Sequence, residues 1–187
     1  MSISPQLPQL LRSRLFFQGR KFSFEVNRMR LPNGIEGEWE CVRHPGGSVA
    51  VPLTPEGKLI MVRQYRFATG RRLLEFPAGT VEEGEQPLAT AQREIQEEVG
   101  YSASRWDRLG QFYLAPGYSD EIIYTYLARD LESLEKPPSM DEDEDIEVVL
   151  LTLEELEQAI LEEELVDSKS ISSLLLLRSH LAKESAA

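Results

Sequence analysis

Four glutamates and one arginine recur at fixed intervals in a short stretch: Glu85, then Arg93-Glu94, then Glu97-Glu98, closed by Gly100-Tyr101. On a helix, residues three and four apart are neighbours, so Glu94, Glu97 and Glu98 share one sector. Carboxylates gathered that closely repel, which raises the pKa of at least one. A divalent cation removes the penalty. Magnesium prefers oxygen ligands, keeps several waters and completes its shell from phosphate. These residue types at this spacing therefore point to metal-assisted hydrolysis of a diphosphate. An acidic helix face alone is commonplace and solvated; the glycine-bearing loop Gly79-Thr-Val-Glu-Glu-Gly-Glu85 ahead of it and the spacing argue for a site.

The elements that must position these groups are legible around them. Pro87 suits a first helical turn and Gly100 a C-terminal cap. Between them Leu88, Ala91, Ile95 and Val99 form an inward stripe, with Glu94 and Glu98 nearest to it. Arg93, four residues before Glu97, reads as an orienting residue. Upstream, Ser48 to Leu53 and Lys58 to Tyr65 read as a strand pair around Pro55-Glu56-Gly57, and Leu73 to Phe76 as a strand entering Pro77-Ala78-Gly79. Residues 1–14 read as a loose lead-in. Lys21 to Leu31 and Glu36 to Val42 flank Asn33-Gly34, a hairpin signal. Downstream, strands are expected over Arg108 to Leu114, Glu121 to Ala128 and Glu147 to Leu151, with a polar loop over 131–145. Helices are expected over Leu153 to Glu163, capped by Thr152 and Glu155, and from Ser168 to Lys183. The order implies a mixed α/β sandwich, with an N-terminal extension and β-hairpin over 1–45 and one catalytic domain over 46–187.

Composition narrows the partners. The chain has 187 residues, 41% hydrophobic and 28% charged, with a formal net charge of −12. That charge argues against a nucleic-acid surface, which needs a basic face, and against anionic membranes. The single cysteine, Cys41, cannot form an intrachain disulfide. The N-terminus lacks the apolar run of a signal peptide, and Leu174 to Leu177 is too short to cross a bilayer. The expectation is a cytoplasmic protein. His44 and His180 lack metal-ligand spacing and receive no role.

The pattern G-x5-E-x7-R-E-(apolar)-x-E-E-x-G-(apolar), carried by Gly79, Glu85, Arg93, Glu94, Glu97, Glu98 and Gly100, resembles the Nudix box. Leu74-Glu75-Phe76-Pro77-Ala78-Gly79, the proline Pro116 sixteen residues after Gly100, and Val166-Asp167-Ser168-Lys169 are similar to the ADP-ribose pyrophosphatase subfamily. The match covers most of residues 40–182. Tyr101, where an aliphatic residue is usual, and Ala115, where serine is usual, are small departures.

The resemblance implies the Nudix fold, a mixed β-sheet between helices. It implies hydrolysis of ADP-ribose to AMP and ribose 5-phosphate with two or three Mg²⁺ ions, Mn²⁺ being an alternative. Glu94 and Glu98, with Glu97 and the Ala78 carbonyl, would be metal ligands. Glu97 would also take part in catalysis. Glu142 in the late acidic run would be general base, with Glu144 and then Glu121 as substitutes. Arg66, Arg43, Trp39 and Gly117 would bind substrate. The N-terminal hairpin would reach a second subunit in a homodimer. The same box also suits another sugar nucleotide or FAD, or a non-catalytic nucleotide-binding module.

Overall fold

The computed structural model describes residues 7–136, 138 and 145–186. The chain divides into two units, one of Met1–Pro45 with Tyr113–Ile122, the other of Gly46–Phe112 with Ile123–Ala187.

In the first unit β1 (Gln9–Gln18), β2 (Ser23–Arg30) and β3 (Glu36–Arg43) form an antiparallel sheet in that order. The expected hairpin is β2–β3, registered from Arg30 opposite Glu36 to Ser23 opposite Arg43. Its turn uses Gly34 at φ 84°, a conformation open to glycine. The lead-in expected over 1–14 is corrected from residue 9 onward, where β1 begins. Register shifts between Leu10 and Arg12 and between Leu15 and Phe17 interrupt the period of two. Nearly every β1 side chain is exposed as well, so its alternation carries no core signal.

The second unit holds two sheets. One has the order β7 (Ala78–Thr80), β4 (Gly47–Pro52), β9 (Ile122–Ser133), β8 (Tyr101–Tyr113); the other is β10 (Ile146–Leu151), β5 (Leu59–Arg66), β6 (Arg71–Glu75). β4 and β9 run parallel while β4 and β7 are antiparallel, which makes the larger sheet mixed. The expected pairing of 48–53 with 58–65 is overturned. Those strands belong to different sheets and share a single bridge, Leu53 to Leu59. Both are buried almost throughout, and each is flanked by strands on both sides, so neither needs the other as a hairpin partner.

Helix α1 (Pro87–Val99) starts on Pro87 and ends on Gly100, whose φ of 72° turns the chain out of the helix. Ala91, Ile95 and Val99 pack with Ala50, Ile60, Val62, Tyr126 and Ala128, and Leu88 lies partly buried against them. Next to Tyr126 in sequence, Thr125 Oγ1 lies 3.2 Å from Ser173 Oγ of α3 (Ser168–Ser185). Alternate strand residues face opposite ways, so α1 and α3 cover opposite faces of the mixed sheet. Helix α2 (Leu153–Leu161) carries the capping box anticipated from Thr152 and Glu155. Among the described residues no helix is long and apolar enough to cross a membrane.

Candidate active site

The carboxylates of α1 are held at the edge of the core. Glu94 and Glu98 are 7% and 5% exposed, and Glu97 is half-buried. One guanidinium gathers them: Arg93 reaches Glu94 at 2.7 Å, Glu97 at 2.9 Å and Glu85 at 3.4 Å. Glu85 comes from the loop ahead of the helix and accepts from Thr90 Oγ1 at 2.8 Å and from the Glu82 N–H at 3.1 Å. Burial opposes ionisation of Glu85, but these donors and Arg93 outweigh it and hold its carboxyl below the ordinary range.

Strand β7 closes on the same carboxylates. The Ala78 N–H donates to Glu98 Oε2 at 3.1 Å. A Cβ on Gly79 would stand 1.7 Å from Glu94 Oε1, so a side chain there would push the Glu94 carboxylate from its place. Three carboxylates thus meet Arg93 and a fourth, Glu98, meets the Ala78 N–H, which concentrates hard oxygen donors and negative charge in one place. Buried anionic charge is costly unless paired, and this donor set fits a divalent cation.

A second polar network lies in the same unit. Glu75, at the end of β6, is 1% exposed. Arg66 grips it with two bonds, Nε to Oε1 at 2.8 Å and Nη2 to Oε2 at 2.6 Å. Lys169 of α3 bonds the same oxygen, Glu75 Oε2, and Asp167 at 3.0 Å. Burial works to raise the Glu75 pKa, but Arg66 and Lys169 prevail and lower it. Arg66, expected as a substrate ligand, is therefore already engaged in a bidentate pair with a buried glutamate. Glu75 and Lys169 both stand in stretches whose resemblance was noted, but a glutamate in a strand gives no sign from sequence that it is buried.

In the first unit, Trp39, Arg43 and Gly117 come together on one cavity of about 470 Å³, with Met29, Tyr118 and Asn27 among its other walls. Arg43 bonds Glu25 at 2.9 Å and Asp120 at 3.0 Å. The Asn27 Oδ1, missed in the sequence reading, is buried there without a hydrogen-bond partner. Glu121, the third candidate base, lies 3.6 Å from His44 Nδ1. Glu142 and Glu144 lie outside the described residues.

Asp107, His180 and Glu184 also bring ligand atoms within 4.8 Å of one another. Arg129 already takes both Glu184 oxygens, at 2.9 and 2.6 Å, and Arg105 pairs with Asp107 at 3.4 Å. Two arginines neutralise that group, unlike the α1 cluster.

Residues 43–174 match the family model of the NUDIX domain. The chain belongs to the Nudix family, and it is a Nudix hydrolase; such enzymes generally use divalent metals. It is 40% identical to an ADP-ribose pyrophosphatase of Bacillus subtilis (strain 168) over 162 residues, 87% of this chain and 88% of that protein. It is 39% identical over 168 residues to the methanol dehydrogenase activator of Bacillus methanolicus, 90% and 91% of the two chains. A crystal structure of an ADP compounds hydrolase superposes with a TM-score of 0.85 at 25% identity, each chain covered completely.

Proposed function

We propose that this chain hydrolyses the diphosphate linkage of ADP-ribose, with water, to AMP and ribose 5-phosphate, using Mg²⁺. The observation that carries the reading is the gathering of Glu94, Glu97 and Glu98 on one sector of α1, Glu94 and Glu98 buried, with Glu85 and Ala78 brought against them. Its similarity to an ADP-ribose pyrophosphatase over most of both chains supports the substrate class.

Glu94, Glu97, Glu98 and the Ala78 carbonyl are the groups proposed to hold two or three ions. When bound, the metal supplies charge neutralisation of the diphosphate and a more acidic water. The protein's own groups do the rest. Arg93 fixes the rotamers of Glu94 and Glu97. Arg66, anchored by Glu75, offers its remaining donors to a phosphate or the terminal ribose. The cavity bearing Trp39, Arg43 and Gly117 is proposed to take the flat base, with Trp39 as its stacking face. One P–O bond to the bridging oxygen breaks as the water oxygen bonds to that phosphorus. Glu142 is proposed to accept the water's proton, with Glu97 alongside; Glu144 and Glu121 are the substitutes to be tested.

A homodimer formed through the N-terminal sheet completes the reading. Leu15, Phe16 and Phe17 are 60–64% exposed on adjoining positions of β1, a run of apolar surface suited to a second copy. Light scattering should give twice the monomer mass. The acidic charge favours neither nucleic acid nor membrane as partner, and the cytoplasm is the proposed location.

Incubation of pure protein with Mg²⁺ and ADP-ribose should release AMP and ribose 5-phosphate. A panel at equal concentration should include GDP-mannose and FAD. Failure to cleave ADP-ribose beside efficient cleavage of another member would sink the substrate assignment. Tight ADP-ribose binding by calorimetry without turnover would instead revive the non-catalytic module.

A further inference from the structure

The segment Glu75-Phe76-Pro77-Ala78 runs from β6 to β7 and delivers Ala78 to the carboxylates of α1. Its polar groups are tied in turn. The Glu75 carboxylate is held by Arg66 and Lys169. The Phe76 N–H donates to Ser170 Oγ at 2.9 Å in a fully buried bond. The Pro77 carbonyl accepts from Ala50 N–H at 2.9 Å, and the Ala78 N–H goes to Glu98. Two of these ties come from the first turn of α3. There Ser170 is 0% exposed, and its hydroxyl donates to Asp167 Oδ2 at 2.6 Å. Asp167 also accepts from the Ser170 N–H at 2.9 Å as the helix cap and receives Lys169. One hydroxyl therefore accepts from the segment and donates to the cap, so its position is fixed from both sides.

We infer that Ser170, backed by Lys169, is a positioning residue for the metal site: α3 sets the path of residues 75–78 and thereby the place of Ala78 against Glu98. This rests on the proposed metal site. Neither residue is among the proposed metal or substrate ligands. Groups behind metal ligands typically govern affinity by about 10–100-fold.

The same helix provides a control. Ser173, less than one turn on, is also 0% exposed, but its hydroxyl meets Thr125 of β9. Ser170→Ala and Ser173→Ala thus make the same chemical change in one helix, and only the first touches the segment. Mn²⁺ dissociation constants measured by calorimetry, without substrate, together with Tm, separate positioning from general destabilisation. Ser170→Ala is expected to weaken Mn²⁺ binding about 10-fold, while Ser173→Ala stays within about twofold at a similar loss of Tm. Ser170→Cys keeps the shape but offers only a weak acceptor; it should fold and weaken binding in the same direction. Wild-type-like affinity in both Ser170 variants, or an equal loss in Ser173→Ala, would overturn the inference alone. A wild-type protein that binds no Mn²⁺ would remove the proposed metal site and this inference with it.

Discussion

Two buried acidic groups lie in the second unit and differ in how their charge is met. Glu75 and Asp167 face Arg66 and Lys169, two carboxylates against two cations. Around α1, Arg93 pairs with Glu85, Glu94 and Glu97, while Glu98 accepts from the Ala78 N–H and lies within the field of Arg66, four acids gathered beside one paired arginine. The first group is electrically complete without any addition, so it holds residues 75–78 and Arg66 in place. The second carries surplus negative charge at the edge of a core. Burying such charge costs stability unless something neutralises it, and an incoming cation does so. The balance of charge, more than the number of acids, separates a group that holds its neighbours in place from one that can take up a cation.

The largest expected effect is on the incomplete group. Glu98→Gln keeps an acceptor for the Ala78 N–H but removes a charge. Its kcat is expected to fall by about 10³-fold with Tm little changed, as measured by steady-state assay and calorimetry. Near-normal turnover would show that the surplus charge is not used.

In the balanced group the loss should be of stability. Glu75→Gln takes the shared anion from Arg66, which is partly exposed, and from Lys169, which keeps Asp167, so the loss should be about 1–3 kcal/mol; urea unfolding measures it. That difference should depend on pH. The Glu75 pKa is lowered in the fold from its ordinary 4.5. Its contribution is therefore fully present above pH 4.5 and is lost as pH falls through the folded value. The gap between wild type and Glu75→Gln should narrow as the pH is taken below 4.5. A gap that stays constant would mean that packing, not charge, holds Glu75.

Arg93→Met sharpens the contrast further. Without Arg93, the α1 group should destabilise the metal-free protein by about 2 kcal/mol, or roughly 4–8 °C in Tm. Saturating Mg²⁺ should restore most of that through binding to the folded state. No recovery with Mg²⁺ would argue against a cation site there. The smallest effect belongs to a change remote from both groups. Thr152→Ala removes the α2 cap and should cost about 1 kcal/mol, with kcat and Mn²⁺ affinity unaltered.

Much of this was readable beforehand. The reach of α1, its terminal glycine, the inward stripe of Ala91, Ile95 and Val99, and the contact of Arg93 with Glu97 all follow from periods of three and four within one helix. The α2 capping box follows from four adjacent residues. What escaped were relations between distant segments. β1 was hidden by two register shifts and by its exposure. β4 and β5 looked like a hairpin because they are neighbours in sequence, yet long-range pairing places them in separate sheets. Glu75 was read as part of an approach motif, not as the buried centre of a network spanning β5, β6 and α3.

The sequence alone determined the local chemistry: which acids stand on one helical sector, where that helix starts and stops, and that diphosphate hydrolysis with a cation is what they suit. Only the tertiary structure decided that Glu75 is buried, that Gly79 of β7 lies against the Glu94 side chain, and that Arg66 is committed to Glu75. The reason is one of range. Helical neighbours are set by a fixed rise and turn within a few residues, whereas burial and charge balance depend on segments nearly a hundred residues apart, as Lys169 and Glu75 are.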